Sequence, residues 1–170
     1  DISIIIPCYN AALYIDKCIN NICNQTFTGE IEIIFIDDCS TDETIQAIEN
    51  SLLSHSYDGL YSIVRQPENK GVAIARITGI KSAQGQYILF CDSDDWMEVG
   101  MCQRMYDEVL MSNADLVICD YRNVYDGYSN ISTNNCIDDF LQGLLLCKCT
   151  GSLWNKLIKR DLLIKDGFVY

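Results

Sequence analysis

The stretch Tyr87-Ile88-Leu89-Phe90-Cys91-Asp92-Ser93-Asp94-Asp95-Trp96 runs from bulky apolar residues into three carboxylates within four positions. The apolar part is too short for a helix and is preceded by Gln84-Gly85. It predicts a strand buried on both faces, as in a parallel sheet covered by helices. In such sheets ligands bind beyond the carboxyl ends of the strands, so the acids fall where a site is expected. Asp92 and Asp94 straddle one residue and can both address one cation. Without a cation, like charges this close raise one another's pKa. Mg2+ or Mn2+, held by one or two carboxylates and by substrate phosphates, removes that conflict. The competing reading is turn chemistry, in which an Asp after a strand caps a helix or forms an Asx turn, and it applies best to Asp95.

Outward from this stretch the chain alternates. A β-branched run, residues 2–6, is closed by Pro7, which offers no backbone donor. Asn10 then caps a helix whose apolar face is Tyr14, Ile15, Cys18, Ile19, Ile22 and Cys23. A second strand, 30–36, ends in Asp37-Asp38. Ser40 and Glu43 have the spacing of a capping box, and Ile45, Ile48 and Leu52 line the helix that follows. Capping accounts for Ser40, Asp42 and Glu43 but not for both Asp37 and Asp38. A third strand, 60–64, leads through a turn at 66–71 into a helix at 72–83 stopped by Gly85. Lys70 and Arg76 stand at this helix N-terminus and one turn inside it, where a diphosphate would be received; each also fits a solvated face charge.

Beyond the acids a helix is expected at 101–111, a strand at 114–119 and a helix at 137–147, with the polar segment 121–134 unplaced. Asp161 caps a short helix ended by Gly167. Trp154 is assigned to packing. His55, the single histidine, has no chemical role in this reading.

This alternation predicts an α/β fold with a mostly parallel, doubly wound sheet. Strand-end loops at Pro7-Cys8-Tyr9-Asn10, Asp37-Asp38 and Asp92-Ser93-Asp94, with Lys70 beside them, form a nucleotide-sized crevice. No Gly-x-Gly-x-x-Gly follows the first strand and no Walker lysine loop occurs, which argues against a dinucleotide or P-loop site. The 170 residues carry 12 basic and 24 acidic side chains, a formal charge of -12. That balance excludes nucleic acid and an anionic membrane surface as the main partner, and any phosphate must be met locally. The ten cysteines lie largely in apolar patterns without a Cys-x-x-Cys pair, which indicates buried thiols and a reducing cytoplasm. No signal peptide or membrane-length apolar run is visible. The start at Asp1 and the end at Phe168-Val169-Tyr170 read as boundaries cut from a longer chain.

Four motifs in order, Pro7-x-Tyr9-Asn10, Asp37-Asp38-x-Ser40-x-Asp42-x-Thr44, Asn69-x-Gly71-x-x-x-Ala75-Arg76 and Asp92-Ser93-Asp94-Asp95, resemble the inverting glycosyltransferases of family 2. The segment Leu153-Trp154-Asn155-Lys156-Leu157-Ile158-Lys159-Arg160 resembles bacterial polysaccharide enzymes of the same family more loosely. The resemblance implies the GT-A nucleotide-diphospho-sugar transferase fold and inverting transfer from a nucleotide-sugar donor, a UDP-sugar first, to a glycan or lipid-linked acceptor in polysaccharide or cell-envelope synthesis. It implies that Pro7 and Tyr9 contact the base, that Asp38 accepts a hydrogen bond from a uracil-type ring, and that Asn10, Lys70, Arg76 and Ser93 belong to the donor site. Asp94 then ligates Mn2+ or Mg2+, and Asp92 faces ribose or metal. It further implies a donor region at 1–120 and the start of an acceptor region at 121–170, with any peripheral membrane association in parts outside this sequence. Two features depart from the family pattern. Ile77 follows the Ala-Arg pair where the family usually has Asn, and no Glu-Asp pair supplies a general base, which is therefore expected beyond Tyr170. A non-catalytic nucleotide-sugar-binding domain, or an Asp-x-Asp phosphotransferase, are the alternative functions.

Overall fold

The structure is a computed structural model and describes residues 1–125, 128–132 and 151–165. In chain order the elements are β1 (Ile2–Cys8), α1 (Ile15–Cys23), β2 (Ile31–Asp37), α2 (Thr44–Ser54), β3 (Leu60–Arg65), α3 (Val72–Ser82), β4 (Tyr87–Phe90), α4 (Met101–Ser112), β5 (Leu116–Ile118), β6 (Tyr121–Tyr125), β7 (Tyr128–Ser132), β8 (Lys156–Lys159) and α5 (Arg160–Lys165). The expected helix at 137–147, Cys136, Cys147, Cys149 and Gly167 lie outside the described residues.

Among the described residues one sheet runs in the order β3-β2-β1-β4-β8-β5, and β6 and β7 form a separate hairpin. β1 pairs in parallel with β2 and β4, and β2 in parallel with β3. β8 is antiparallel to both β4 and β5. The two-residue period of the strands splits the core. Ile2, Ile4, Ile6 and Cys8 pack with residues of α1, α2 and α4 on one face; Ile5, Ile34, Ile36, Ile88 and Phe90 pack with α3 and α5 on the other. This is the expected α/β, doubly wound and mostly parallel arrangement. The order reverses between β1 and β4, which defines the crevice where ligands bind in open α/β sheets. No helix among the described residues is long and apolar enough to cross a membrane.

Several local expectations are corrected. β1 continues through Pro7 to Cys8, and Pro7 is buried. The Cys8 carbonyl accepts from Asp38 N on the β2 side, so Pro7 faces the β4 side. There the β1–β4 pairing has ended at Ile5 and Phe90, and no donor is missed. Asn10 does not cap α1. It has φ 51°, and a turn closed by Tyr14 N and Ile15 N on the Ala11 carbonyl intervenes, with Tyr14 exposed. The capping box does not form: Glu43 occupies the cap position without a side-chain bond, and Asp42 Oδ1 accepts from Thr44 N at 3.1 Å instead. Asp161 lies inside the first turn of α5 rather than before it.

Gly85 fixes the entry to β4. A Cβ there would stand 2.6 Å from Ser3 N and 2.9 Å from the Ile2 carbonyl carbon, both backbone atoms, while Gly85 N donates to Ser3 Oγ at 2.8 Å. Gly85→Ala is therefore expected to lower stability by roughly 1–3 kcal/mol, the usual range for overpacking. An unchanged urea midpoint in the variant would contradict this close approach.

Candidate active site

Asp38 is 3% exposed and accepts three hydrogen bonds. Its Oδ1 takes Gln66 Nε2 at 2.7 Å and Lys70 N at 2.8 Å; its Oδ2 takes Gly71 N at 2.7 Å. The end of β2 is thereby tied to the start of α3, and the carboxylate meets the partial positive charge of that helix N-terminus. Gly71 stands there at φ 83°, a conformation open to glycine. The expectation of a diphosphate at this N-terminus is corrected for these two amides, because the chain's own carboxylate occupies them. The Lys70 side chain turns to Glu68, with Nζ 3.3 Å from Oε1.

The first two strand-end loops are stitched together. Asn10 N donates to Ser40 Oγ at 3.0 Å, Thr41 N to Asn10 Oδ1 at 2.9 Å, and Ala11 N to Thr44 Oγ1 at 2.8 Å. Asn10 thus spends its side chain on the loop. Asp37 is buried, accepts from Ser40 N at 3.2 Å and stands 3.4 Å from Arg65 Nε. Tyr9, next to buried Pro7, is 51% exposed and presents an aromatic ring at the lip of the edge.

The acid loop is held from α3. Arg76 donates to Asp92 Oδ1 at 2.6 Å, a short charge-assisted contact, and Asp95 N donates to the Asp92 carbonyl at 3.0 Å, closing the turn. Two groups are left over. Arg76 Nε is buried without a hydrogen-bond partner, and the exposed Asp94 carboxylate makes no hydrogen bond or ion pair among the described residues. Burial raises the Asp95 pKa, as do Asp94 and then Asp92, against an opposing effect from Lys17. Lys17 Nζ stands 3.1 Å from the centroid of the Trp96 ring. A hydrogen bond with Cys18, 3.6 Å away, and burial push the Cys91 thiol well up, so it remains protonated and neither attacks nor ligates.

Among the described residues no three His, Cys, Asp or Glu side chains are grouped to hold a metal. The donor set does fit a hard cation that arrives with phosphate oxygens, because among the described residues Asp94 has no partner and Asp92 has an oxygen without a hydrogen bond beside the Arg76 contact. Next to the acids lies a cavity of about 440 Å3 between the loop from Cys91 to Met97, the β6–β7 hairpin and Trp154. Trp154 packs edge to face with Tyr121, ring centroids 4.7 Å apart, as expected of a packing residue, yet it also lines this cavity.

The sequence reading missed Gln66, Lys17 and the hairpin. Lys17 carried no readable signal, since its partner, the Trp96 ring, lies far along the chain. Gln66 carried none, because its partner Asp38 is 28 residues away.

A mostly parallel α/β sheet in this strand order, flanked by helices and with its crevice at the switch point, is the GT-A glycosyltransferase fold. The profile of Glycosyl transferase family 2 matches residues 3–167, and the chain belongs to that family. It is 30% identical over 170 residues to EpsH of Bacillus subtilis, covering 95% of this chain and 48% of EpsH. Among solved structures, Staphylococcus aureus TarS 1–349 in complex with UDP superposes with a TM-score of 0.82 at 24% identity, over 100% of this chain and 49% of that one. The mannosyltransferase PcManGT of Pyrobaculum calidifontis in complex with GDP-Man and Mn2+ gives 0.73 at 20% identity, over 98% and 46%. The chain therefore spans about half the length of each of these three proteins.

Proposed function

We propose that this chain carries the donor site of a metal-dependent, inverting glycosyltransferase that moves a sugar from a UDP-sugar to a glycan or lipid-linked acceptor. The observation that carries this reading is the Arg76–Asp92 pair beside an unpartnered Asp94 at the sheet's switch point. UDP bound to TarS, and Mn2+ with GDP-Man bound to PcManGT, support the donor and cation classes.

Asp94 and the second oxygen of Asp92 would hold Mn2+ or Mg2+ here. When bound, the cation neutralises charge developing on the departing diphosphate. Arg76 fixes Asp92 and keeps one buried N–H, Nε, for a phosphate oxygen. Ser93, between the two acids, borders the same oxygens. Tyr9 offers its exposed ring to the base. Asp38, already accepting three bonds, retains one of a carboxylate's roughly four acceptor sites for a ring N–H. Buried Pro7 acts from beneath, and Asn10 and Lys70 serve the site through the loops they brace. Residues 1–120 bear the donor and those from 121 onward the acceptor side, with the general base beyond Tyr170. The buried thiols of Cys8, Cys18, Cys91 and Cys102 suit a reducing cytoplasm.

Calorimetric titration of UDP, with GDP and ADP as controls and with or without Mn2+, tests the reading. Mn2+-dependent binding of UDP is expected. A folded protein that binds none of the three would instead be an interaction domain.

A further inference from the structure

We propose that the cavity beside the acid loop receives a neutral, hydroxyl-rich glycan as acceptor rather than a polymer with phosphate repeats. The inference rests on the glycosyltransferase reading and narrows its acceptor. At about 440 Å3 the cavity falls within the range of ligand sites and has room for a short oligosaccharide.

Its walls combine two features. The first is aromatic surface: Trp96, Tyr121, Tyr125 and Trp154 all line it. Tyr121 and Trp154 meet at an interplanar angle of 87°, so the ring that gives its edge keeps both faces clear of this contact. Trp96 is 43% exposed, and one of its faces is covered by Lys17, which is not part of the cavity wall; the opposite face is left for a ligand. Flat apolar faces beside polar groups suit the C–H faces and equatorial hydroxyls of pyranose rings. The Asn123 amide nitrogen reaches Ser132 Oγ at 3.5 Å, and among the described residues its oxygen has no hydrogen-bond donor, so it can accept from a sugar hydroxyl.

The second feature is charge. Asp95, Glu98 and Asp120 line the cavity with one guanidinium, Arg122, while Lys17 acts on Asp95 from behind Trp96. An acceptor with a phosphate in every repeat would bring further negative charge against three carboxylates in a partly desolvated space, where charges interact more strongly than in water. A neutral glycan suffers no such repulsion, and its hydroxyls can donate to those carboxylates.

The test is UDP release by the full-length protein, supplied with UDP-glucose, UDP-galactose and UDP-N-acetylglucosamine, onto either a pool of unphosphorylated di- and trisaccharides or a ribitol-phosphate oligomer. The neutral pool is expected to be the better acceptor. Trp154→Ala and Tyr121→Ala should raise the acceptor KM about tenfold, the scale of one aromatic contact, while calorimetric UDP affinity stays unchanged and reports an intact donor site. Trp154→Phe, which keeps a ring, should recover most of that loss. Preference for the phosphate oligomer, use of neither acceptor by a protein that still binds UDP, or alanine variants with unaltered acceptor KM would each overturn the inference. Failure to bind UDP at all would instead remove the transferase reading on which it stands.

Discussion

Asp38→Asn is expected to lower the stability of this fold by about 3 kcal/mol, within the range for removing a partner from buried hydrogen-bonded groups. The carboxylate is buried, and all three of its bonds come from groups that donate: a side-chain amide and two backbone N–H. An asparagine keeps one oxygen. If its nitrogen replaces Oδ2 it faces Gly71 N, and if it replaces Oδ1 it faces both Gln66 Nε2 and Lys70 N. Either orientation sets donor against donor and leaves buried N–H groups unpaired, and the gain of a neutral side chain does not repair them. For a protein of this size the loss corresponds to a fall in Tm on the order of 6–12 °C. Urea unfolding followed by circular dichroism measures it directly. Gln66→Ala combined with Asp38→Asn should depart from the sum of the single changes, because both alter one hydrogen-bonded cluster. A loss under about 1 kcal/mol would mean that the 66–71 turn holds its shape without the carboxylate.

The contrast between what the sequence revealed and what it concealed follows from range. β1 and β4 are apolar but for Ser3 because both of their faces are covered, and that pattern is local, so both strands, α3 and the parallel sheet were legible. The acids at 92–95 were legible for the same reason: three charges immediately after a buried strand have few explanations. β8 was missed. It is four residues long, begins and ends with lysine, and becomes a strand through its neighbours β4 and β5, about 70 and 40 residues earlier. Its Lys156 is 2% exposed and donates to the Ser152 carbonyl and to Asn155 Oδ1, a burial that no lysine in a sequence announces. The caps failed similarly. Asn10 and Ser40 have the residue types for local capping, but each found a partner in the other's loop some thirty residues away. Asp37 and Asp38 stand out because capping of α2 does not absorb them both; Asp37 accepts from Ser40 N beside Arg65, and Asp38 reaches the start of α3. What the sequence could not supply is that Asp38's donors would come from the next turn of the fold, so that a residue singled out for ligand binding is also a structural tie.

Asp94→Ala reverses the pattern expected for Asp38→Asn: transfer by the full-length protein should fall at least about 100-fold, the scale of losing one preorganised electrostatic partner of the transition state, while Tm is unchanged. The stability half follows from geometry. Asp94 is exposed and makes no hydrogen bond or ion pair among the described residues, so its removal strands no donor and opens no cavity. Such surface changes ordinarily stay within about 0.5 kcal/mol. The electrostatic half has a sign that can be checked separately. Asp94 is among the charges that raise the Asp95 pKa, so the alanine variant should show Asp95 titrating lower than in the parent, measurable by NMR of the side-chain carboxyl. The activity half depends on the cation. If Asp94 holds it, Mn2+-dependent UDP binding is lost with the side chain, and added Mn2+ restores little because too few protein oxygens remain. Arg76→Ala is a useful companion. It removes the 2.6 Å contact that holds Asp92, so it should weaken both binding and the order of the acid loop, whereas Asp94→Ala weakens binding alone. Wild-type transfer by Asp94→Ala would reduce the acid loop to a turn and leave Arg76 and Asp92 as a structural pair. A loss of transfer without loss of stability separates the ligand-facing carboxylate from the one that ties the sheet to α3.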